Sequence, residues 1–581
     1  MERIETEVLI VGAGLSGASA AVMLARHGIQ TMMVSRSRWV ADSPRAHIVN
    51  QRTMEVMRAI DLEEPCYEAA TPGDQMANHV MMTAVNGVEF GRMWTWGNDP
   101  ARAGEYAASP GRGCDLPQDR FEPILVGEAM RRGVVARYRT EFVSLEQDED
   151  GVTTRLRDLI TGAQFSVRSR YVIGADGGQS PVAAAIGLPL VGTSGLAPAL
   201  NVHFEADLSP YFADRPGSIF WVFQPGREGA VGNAMLRMVR PWNEWIVGFV
   251  HLGESVTTLT EDQLVQAVRE IIQDDAVDVR IIGMYPWRIN HVIAESYQTG
   301  RVLCAGDAVH RHPPMNGLGG NTCIQDAFNL AWKLAAVLRW DAGTALLDTY
   351  TAERQPVGQN VVDRAIAGWH QNPAVVRALG VDPAAAPAER QAQFDVLFAD
   401  SDEGERRRED FEAAKRSKIY SYHAHGTEMN QVYDSAAVIG DGSAAPEPER
   451  DVRLFYQPTS RPGARVPHCW VGRAGRTVST LDLCGPEQFT LLTRARGRAW
   501  VDAAQAVAAR TGVPIAAHRI GHGGDIADLY AQWADVSEIG ERGCVLVRPD
   551  QHVAWRSEGG SDDPRAELTR VLRACLAQPG A

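Results

Sequence analysis

Two stretches of this sequence combine residue types that can hold a large redox ligand. In "GDAVHRHPPMNGLGGN", from Gly306 to Asn321, an acid closes an apolar run and a glycine- and proline-rich loop follows. At the carboxyl end of a buried parallel strand, Asp307 stands where open α/β sheets bind ligands and is placed to accept hydrogen bonds from hydroxyls. Gly317, Gly319 and Gly320 remove bulk and let backbone approach a flat ring. Asn321 stands where a helix is expected to begin, with Ile324, Phe328, Ala331, Leu334 and Leu338 recurring at helical spacing behind it. A flavin answers this pattern: its ribityl hydroxyls match Asp307, and its pyrimidine edge, anionic on reduction, matches the N–H groups from Leu318 to Asn321.

The second stretch, "VLIVGAGLSG", places Gly12, Gly14 and Gly17 after an apolar run, with Leu15 and Ser16 opening a helix. The first glycine permits a tight turn, the second lets backbone approach a pyrophosphate, and the third lets helix pack on strand; the helix terminus offers N–H groups and partial positive charge to the anion. An acid at the end of the next strand usually holds the adenosine ribose, but "TMMVSRSRW" has Ser35 and Arg36 there. Either Ser35 with Arg36 and Arg38 takes that role, or the adenine end is held differently. His310 and His312 read as hydrogen-bonded loop residues, since no third and fourth ligand at useful spacing supports a metal site.

These loops need a frame. "TEVLIV", "SRYVIGADG" and "GRVLCAGD" are buried-strand signals far apart in sequence, which implies one doubly wound parallel sheet assembled from distant segments, within an α/β protein. Between the second and third, "GSIFWVFQPG", "VGNAMLRMVRP" and "NEWIVGFVHLG" read as an inserted antiparallel sheet. The expected division is 1–185 with 285–400 as a discontinuous cofactor domain with a helical extension, 186–284 as the inserted sheet (joined by parts of 75–115), 401–445 as helix and linker, and 446–581 as a small α/β domain. With 581 residues the chain is too long for a single core. The net charge of -15 is spread along the chain, which argues against nucleic-acid or anionic-membrane partners. Eight scattered cysteines without CxxC fit reduced thiols, and with no signal sequence or long apolar run the expected location is the cytoplasm.

Gly12-x-Gly14-x-x-Gly17, Asp176-Gly177, and Gly306-Asp307 with Pro314, Gly317, Gly319 and Asn321 resemble the three fingerprints of the single-component FAD-dependent aromatic hydroxylases. Within that group "PRAHIVNQRTMEV", "LPQDRFEPIL" and "HPPMNGLGGNTCIQDAFNLAWKL" are most similar to phenol hydroxylases of the dichlorophenol monooxygenase kind, and "CVLVRPDQHVAWR" resembles the end of their thioredoxin-like C-terminal domain. The resemblance implies FAD as cofactor, with Arg45 and Gln118 among its contacts. It further implies NADPH or NADH as a transient electron donor, O2 as co-substrate, and hydroxylation of a small phenolic or aromatic substrate ortho to its hydroxyl through a flavin C4a-hydroperoxide. No second GxGxxG follows a strand, so the nicotinamide has no domain of its own.

His47 falls where phenol hydroxylases carry an acidic base, and a histidine can do that work near neutral pH. Tyr285 and Trp287 in "MYPWRINH" map near the ring pocket and either cover an aromatic substrate or pack in the sheet. In "GADGGQSPVAAAIG" the arginine that often follows Asp-Gly is replaced near Ala183. The terminal domain makes a homo-oligomer an expectation. Two alternatives stay open beside the leading one: an FAD-linked reductase that inserts no oxygen, and a hydroxylase of larger polycyclic aromatics.

Overall fold

The computed structural model describes residues 3–227, 233–250, 259–371 and 373–579. Apolar runs with no polar face need cover on both sides, and the structure supplies it. Gln298–Thr299, Val302–Cys304, Gln164–Gly174, Arg3–Val11, Thr31–Val34 and Val135–Arg137 lie side by side in that order; all but the first are parallel to their neighbours. A hairpin of Thr140–Gln147 and Val152–Asp158 continues antiparallel from the strand Gln164–Gly174. The helices Leu15–Arg26 and Gly319–Arg339 share one core with the sheet.

The register of this sheet brings the fingerprints together. Val11 pairs with Gly174 and Gly174 with Cys304, so three strands end level. Their continuations, Gly12, Asp176-Gly177 and Gly306-Asp307, therefore emerge along one carboxyl edge, where such sheets bind ligands.

The second sheet has eight strands, in the order His310–Arg311, Arg280–Ala294, Leu190–Glu205, Glu244–Val250, Asn233–Arg240, Ile219–Phe223, Asn78–Met82, Glu89–Trp94. Alternation along the strands gives it two faces. Val80, Val202, Phe220, Leu236, Trp245 and Val247 form one core with Leu264, Val268 and Ile271 of the helix Glu261–Ile272. His79, Asn201, Trp221, Met235, Arg237, Tyr285 and Trp287, at the alternate positions, face the other way, toward the cofactor edge. The sheet is antiparallel except for one pair, Ile219–Phe223 with Asn78–Met82.

Two expectations change here. The boundary expected at 284/285 falls inside a single strand, Arg280–Ala294, because this segment pairs with Leu190–Glu205 along nearly its whole length. The ends of two stretches expected to be strand, Val231-Gly232 and His251 to Gly253, lie outside the described residues.

Beyond the helices Asp348–Gln371 and Asp402–Ser417, an irregular stretch leads to a four-stranded sheet ordered Ile515–Ile520, Phe489–Arg494, Cys544–Val547, Val553–Ser557. The first pair is parallel and the other two antiparallel, with helices Arg498–Thr511 and Pro564–Cys575 packed against them. This is thioredoxin-like connectivity. All eight cysteines are buried free thiols, which excludes a dithiol redox pair in that domain. Among the described residues no helix is long and apolar enough to cross a membrane.

Candidate active site

The three glycines of the first loop differ in what surrounds them. A Cβ at Gly12 would collide with the Ala175 carbonyl, and one at Gly17 with the Gly12 carbonyl, so both are required by the fold itself. A Cβ at Gly14 would meet nothing nearer than Glu122 Oε1 at 3.4 Å and Gln118 Nε2 at 4.0 Å. The protein would thus tolerate a Cβ at Gly14 in ordinary contact, at the start of a helix with no side-chain cap and no acid in its first turn. N–H groups in that state attract an anion.

Arg45 and Gln118 stand beside this turn. Arg45 Nε donates to Gln118 Oε1 at 2.9 Å, Gln118 donates in turn to Glu122, and Glu122 Oε2 accepts from Ala41 N at 2.6 Å. Burial pushes the Glu122 carboxyl above its ordinary value. Arg36 is exposed near the end of its strand and close enough to Asp176 to act on its charge, while Ser35 Oγ accepts from Ser37 N at 3.3 Å. The Asp176 carboxylate is held within its own turn by Ser180 Oγ and by Val182 N at 3.0 Å. That leaves Gly177, with a positive φ and open space around it, as the ligand-facing part of the motif. Arg311 donates to the Gly178 carbonyl, bringing to this loop a guanidinium that the sequence around Ala183 lacks.

At the other end of the edge Asp307 is exposed, its carboxylate touched only by Cys323 Sγ at 3.8 Å among the hydrogen bonds of the described residues. A Cβ at Gly306, whose φ is +67°, would run into Ser16 Oγ, which ties the two fingerprints together. Gly317 packs against Ile48, and Gly320 against Leu15 and Ala46, so the loop after His47 and the loop after Pro314 border one slot; Pro314 is exposed on its rim and Leu318 buried beneath. Asn321 departs from expectation. The helix starts at Gly319, and the Asn321 side chain bridges segments instead of capping: it accepts from Asn50 N at 2.9 Å and donates to Ile48 O at 2.8 Å and Gly317 O at 2.6 Å.

FAD fits this cleft. Room at Gly14, uncapped helix N–H groups and an exposed acid at the far end match a pyrophosphate and a ribityl chain. His310 is structural: its Nε2 pairs with Asp326 Oδ2 at 2.8 Å, and Asp326 also accepts from Gly306 N at 3.1 Å and from Arg354 Nε at 2.8 Å. His312 Nδ1 lies 2.7 Å from the Pro313 carbonyl, and burial holds its pKa down at about 4.

Facing the slot is the polar side of the second sheet. His47 Nδ1 lies 3.5 Å from Asp115 Oδ1, and Asp115 Oδ2 takes a hydrogen bond from Arg237 Nη2. Asp115 is placed by a two-residue ribbon in which Ile48 pairs with Asp115, reinforced by Leu116 N donating to His47 O at 2.7 Å. Burial and then the Arg237 charge push the His47 imidazole below its ordinary value, so it is neutral and able to take a proton near pH 7. Burial disfavours the Asp115 carboxylate too, but the Arg237 charge and His47 outweigh that and keep it ionised. His47 Nδ1 and Asp115 Oδ1 thus face each other as a long ion pair, and Arg237 Nη1 is buried without a hydrogen-bond partner. Tyr285 and Trp287 lie on the same sheet face. The Tyr285 hydroxyl donates to Asp42 O at 3.1 Å, pinning the loop before His47, and Trp287 Nε1 donates to Asn201 Oδ1 at 3.3 Å.

Asp115 and Arg237 join the site without having been singled out in sequence. Asp115 sits inside "CDLPQDR" and Arg237 inside "NAMLRMVR"; the one available signal is a charge within an otherwise apolar strand, which argues for a buried partner.

Comparison with known proteins adds two family matches: an FAD binding domain over residues 5–365 and an aromatic-ring hydroxylase C-terminal domain over 459–579. The chain is 45% identical to 2,4-dichlorophenol 6-monooxygenase of Delftia acidovorans, over 98% of both chains. It is 42% identical to phenol 2-monooxygenase of a Pseudomonas species, over 98% of this chain and 93% of that one. Among solved structures, the flavin-dependent monooxygenase PieE in complex with FAD and substrate aligns over 100% of both chains with a TM-score of 0.94 and 42% identity.

Proposed function

Because this chain belongs to the FAD-dependent aromatic-ring hydroxylase family, we propose that it hydroxylates a phenolic ring ortho to its hydroxyl, with His47 and Arg237 handling the phenolic proton and charge. It is a flavoprotein monooxygenase. When bound, FAD would supply the redox chemistry, with NAD(P)H as the two-electron donor and O2 as the source of the oxygen atom added to the ring, the other oxygen going to water.

The chain's own residues bind, orient and shield. Gly14 and the N–H groups of Leu15 and Ser16 hold the pyrophosphate, Arg45 and Gln118 flank it, and Asp307 takes the ribityl hydroxyls. The N–H groups of Leu318 to Asn321 face the pyrimidine edge. On the substrate side neutral His47 withdraws the phenolic proton, Asp115 stabilises the imidazolium that forms, and the unpaired Arg237 nitrogen receives the phenolate oxygen. A phenolate ring is more nucleophilic than a phenol ring, and activating it is what such a base contributes. The sheet wall of Trp221, Met235 and Trp287 keeps the ring dry.

The observation that carries this reading is the buried His47, Asp115 and Arg237 group, in which Asp115 pairs with both neighbours and Arg237 Nη1 is left without a hydrogen-bond partner among the described residues. Its test is a screen of substituted phenols for stimulated NADPH or NADH oxidation by the yellow holoprotein, with product mass measured under labelled oxygen. One labelled atom per product is expected; reduction products without label would refute it.

A further inference from the structure

Beyond Arg237 the same sheet face carries a second group of unmatched polar atoms. His79 is 1% exposed, and neither of its ring nitrogens has a hydrogen-bond partner. Its ring centroid is 3.9 Å from that of Tyr422 and 5.8 Å from that of Trp96, whose Nε1 is also buried and unpartnered. Tyr422 in turn meets the Trp221 indole of the dry wall. A buried neutral histidine has one donor and one acceptor, and leaving either unmet is unfavourable. Three such atoms in an aromatic box, on a wall already facing the cofactor, are the mark of a ligand-binding position.

Its distance from the phenolic end follows from the register. His79 pairs with Ile219, and Ile219 with Arg237, so His79 and Arg237 stand in one row two strands apart. Two strand spacings make roughly 10 Å. The para oxygens of a single benzene ring are separated by little more than one spacing; those at the far ends of a biphenyl are separated by about two. Burial, with the Arg237 charge second, holds the His79 imidazole well below its ordinary value and hence neutral. The neutral ring can donate to or accept from a hydroxyl or a carbonyl.

We infer that the box of His79, Trp96 and Tyr422 is a second hydrogen-bonding subsite, and that this enzyme's substrate is an elongated phenol of two or more rings carrying a neutral hydroxyl or carbonyl at the end remote from the phenolic group that is activated. This rests on the phenolic end lying at His47 and Arg237, as proposed above. His79 sets specificity and does not touch the reacting atoms.

The test uses FAD-loaded enzyme, para-phenylphenol, para,para′-dihydroxybiphenyl and unsubstituted phenol, with dissociation constants read from the flavin absorption change. The dihydroxy compound binds roughly tenfold more tightly than para-phenylphenol in the natural enzyme. That ratio falls to about one in His79→Leu and is partly restored in His79→Gln, which again presents a donor and an acceptor. A ratio of one in the natural enzyme, or a tenfold ratio surviving in His79→Leu, overturns the subsite. If phenol stimulates NADPH oxidation while both biphenyls fail to bind, the subsite is wrong and the phenol hydroxylase reading stands. If no phenol of any size stimulates oxidation, the reading falls and takes the subsite with it.

Discussion

Two regions of this molecule bury charge to the same degree and do opposite things with it. At the seam between the cofactor domain and the C-terminal domain, Glu353 accepts from Lys333 at 2.6 Å, from both terminal nitrogens of Arg548 at 2.6 and 2.8 Å, from Asn329 at 2.7 Å and from Ser435 at 2.6 Å. Arg548 also donates to Asp550, and Arg52 reaches across to Gln551 and to the Asp550 carbonyl. Burial lowers Lys333 to about 8, while the Arg548 charge overcomes burial and holds Glu353 well below its ordinary value. Along the substrate wall, by contrast, Asp115 and Arg237 satisfy each other only in part, and Arg237 Nη1 is left over. A buried charge with every partner in place fixes geometry; one with a missing partner marks where a ligand completes the set.

The largest effect that would sharpen this contrast belongs to the seam. Glu353→Gln leaves Lys333 without its counter-charge and Arg548 with Asp550 alone, and should cost about 3–5 kcal/mol of stability, read by urea unfolding of the holoenzyme. A loss below about 1 kcal/mol would mean the network is no more than a solvated surface pair.

Next comes the wall. His47→Gln should lower kcat/KM by about 10²–10⁴-fold while the unfolding midpoint stays close to that of the natural protein, because Asp115 keeps its Arg237 partner and His47 Nδ1 holds Asp115 only at 3.5 Å. Equal losses of stability and activity would make His47 structural.

The phosphate loop gives a smaller, paired test. Gly14→Val should weaken FAD binding by about 10–100-fold with the apoprotein as stable as before, the scale of losing charge-assisted hydrogen bonds. Gly12→Val should destabilise the apoprotein itself, since its side chain would meet the Ala175 carbonyl. Flavin fluorescence titration and thermal unfolding separate the two.

The mildest change concerns pH. Arg237 lowers the His47 pKa, whereas Asp115 raises it. In Arg237→Met the imidazole therefore holds its proton to higher pH, and the acid limb of the kcat/KM profile should move upward. A limb unmoved or shifted downward would separate Arg237 from the base.

How much of this is legible in the sequence depends on the range of the contact. The three fingerprints can be read because each is a local strand-to-loop transition with glycines at positions the backbone requires, and the apolar run before each one fixes its place at a sheet edge. Asp307 and Gly14 follow from that alone, whereas the thioredoxin-like terminal domain is implied by the family resemblance of "CVLVRPDQHVAWR". Asn321 lies beside the slot as its spacing implies, yet it bridges segments where a helix cap is expected, because its partners Asn50 and Ile48 stand 271 and 273 residues away along the chain. The same holds for the His47 group. Asp115 and Arg237 are 122 residues apart, and nothing local to either shows that they meet. His79 hides for another reason: a histidine between Asn78 and Val80 in a strand gives no sign of which face it takes until the register with Ile219 and Arg237 is known. The boundary near 285 misleads because the aromatic segment has the same alternation as the strand before it.

The central claim is that His47, Asp115 and Arg237 take the proton and hold the negative charge of a phenol. The difference spectrum of para-nitrophenol bound to the FAD-loaded enzyme, recorded just below the pH at which the free compound ionises, tests it directly. The account predicts bound phenolate in the natural enzyme and bound neutral phenol in His47→Gln and Arg237→Met. A neutral phenol in the natural enzyme, or phenolate undiminished in both variants, would contradict it.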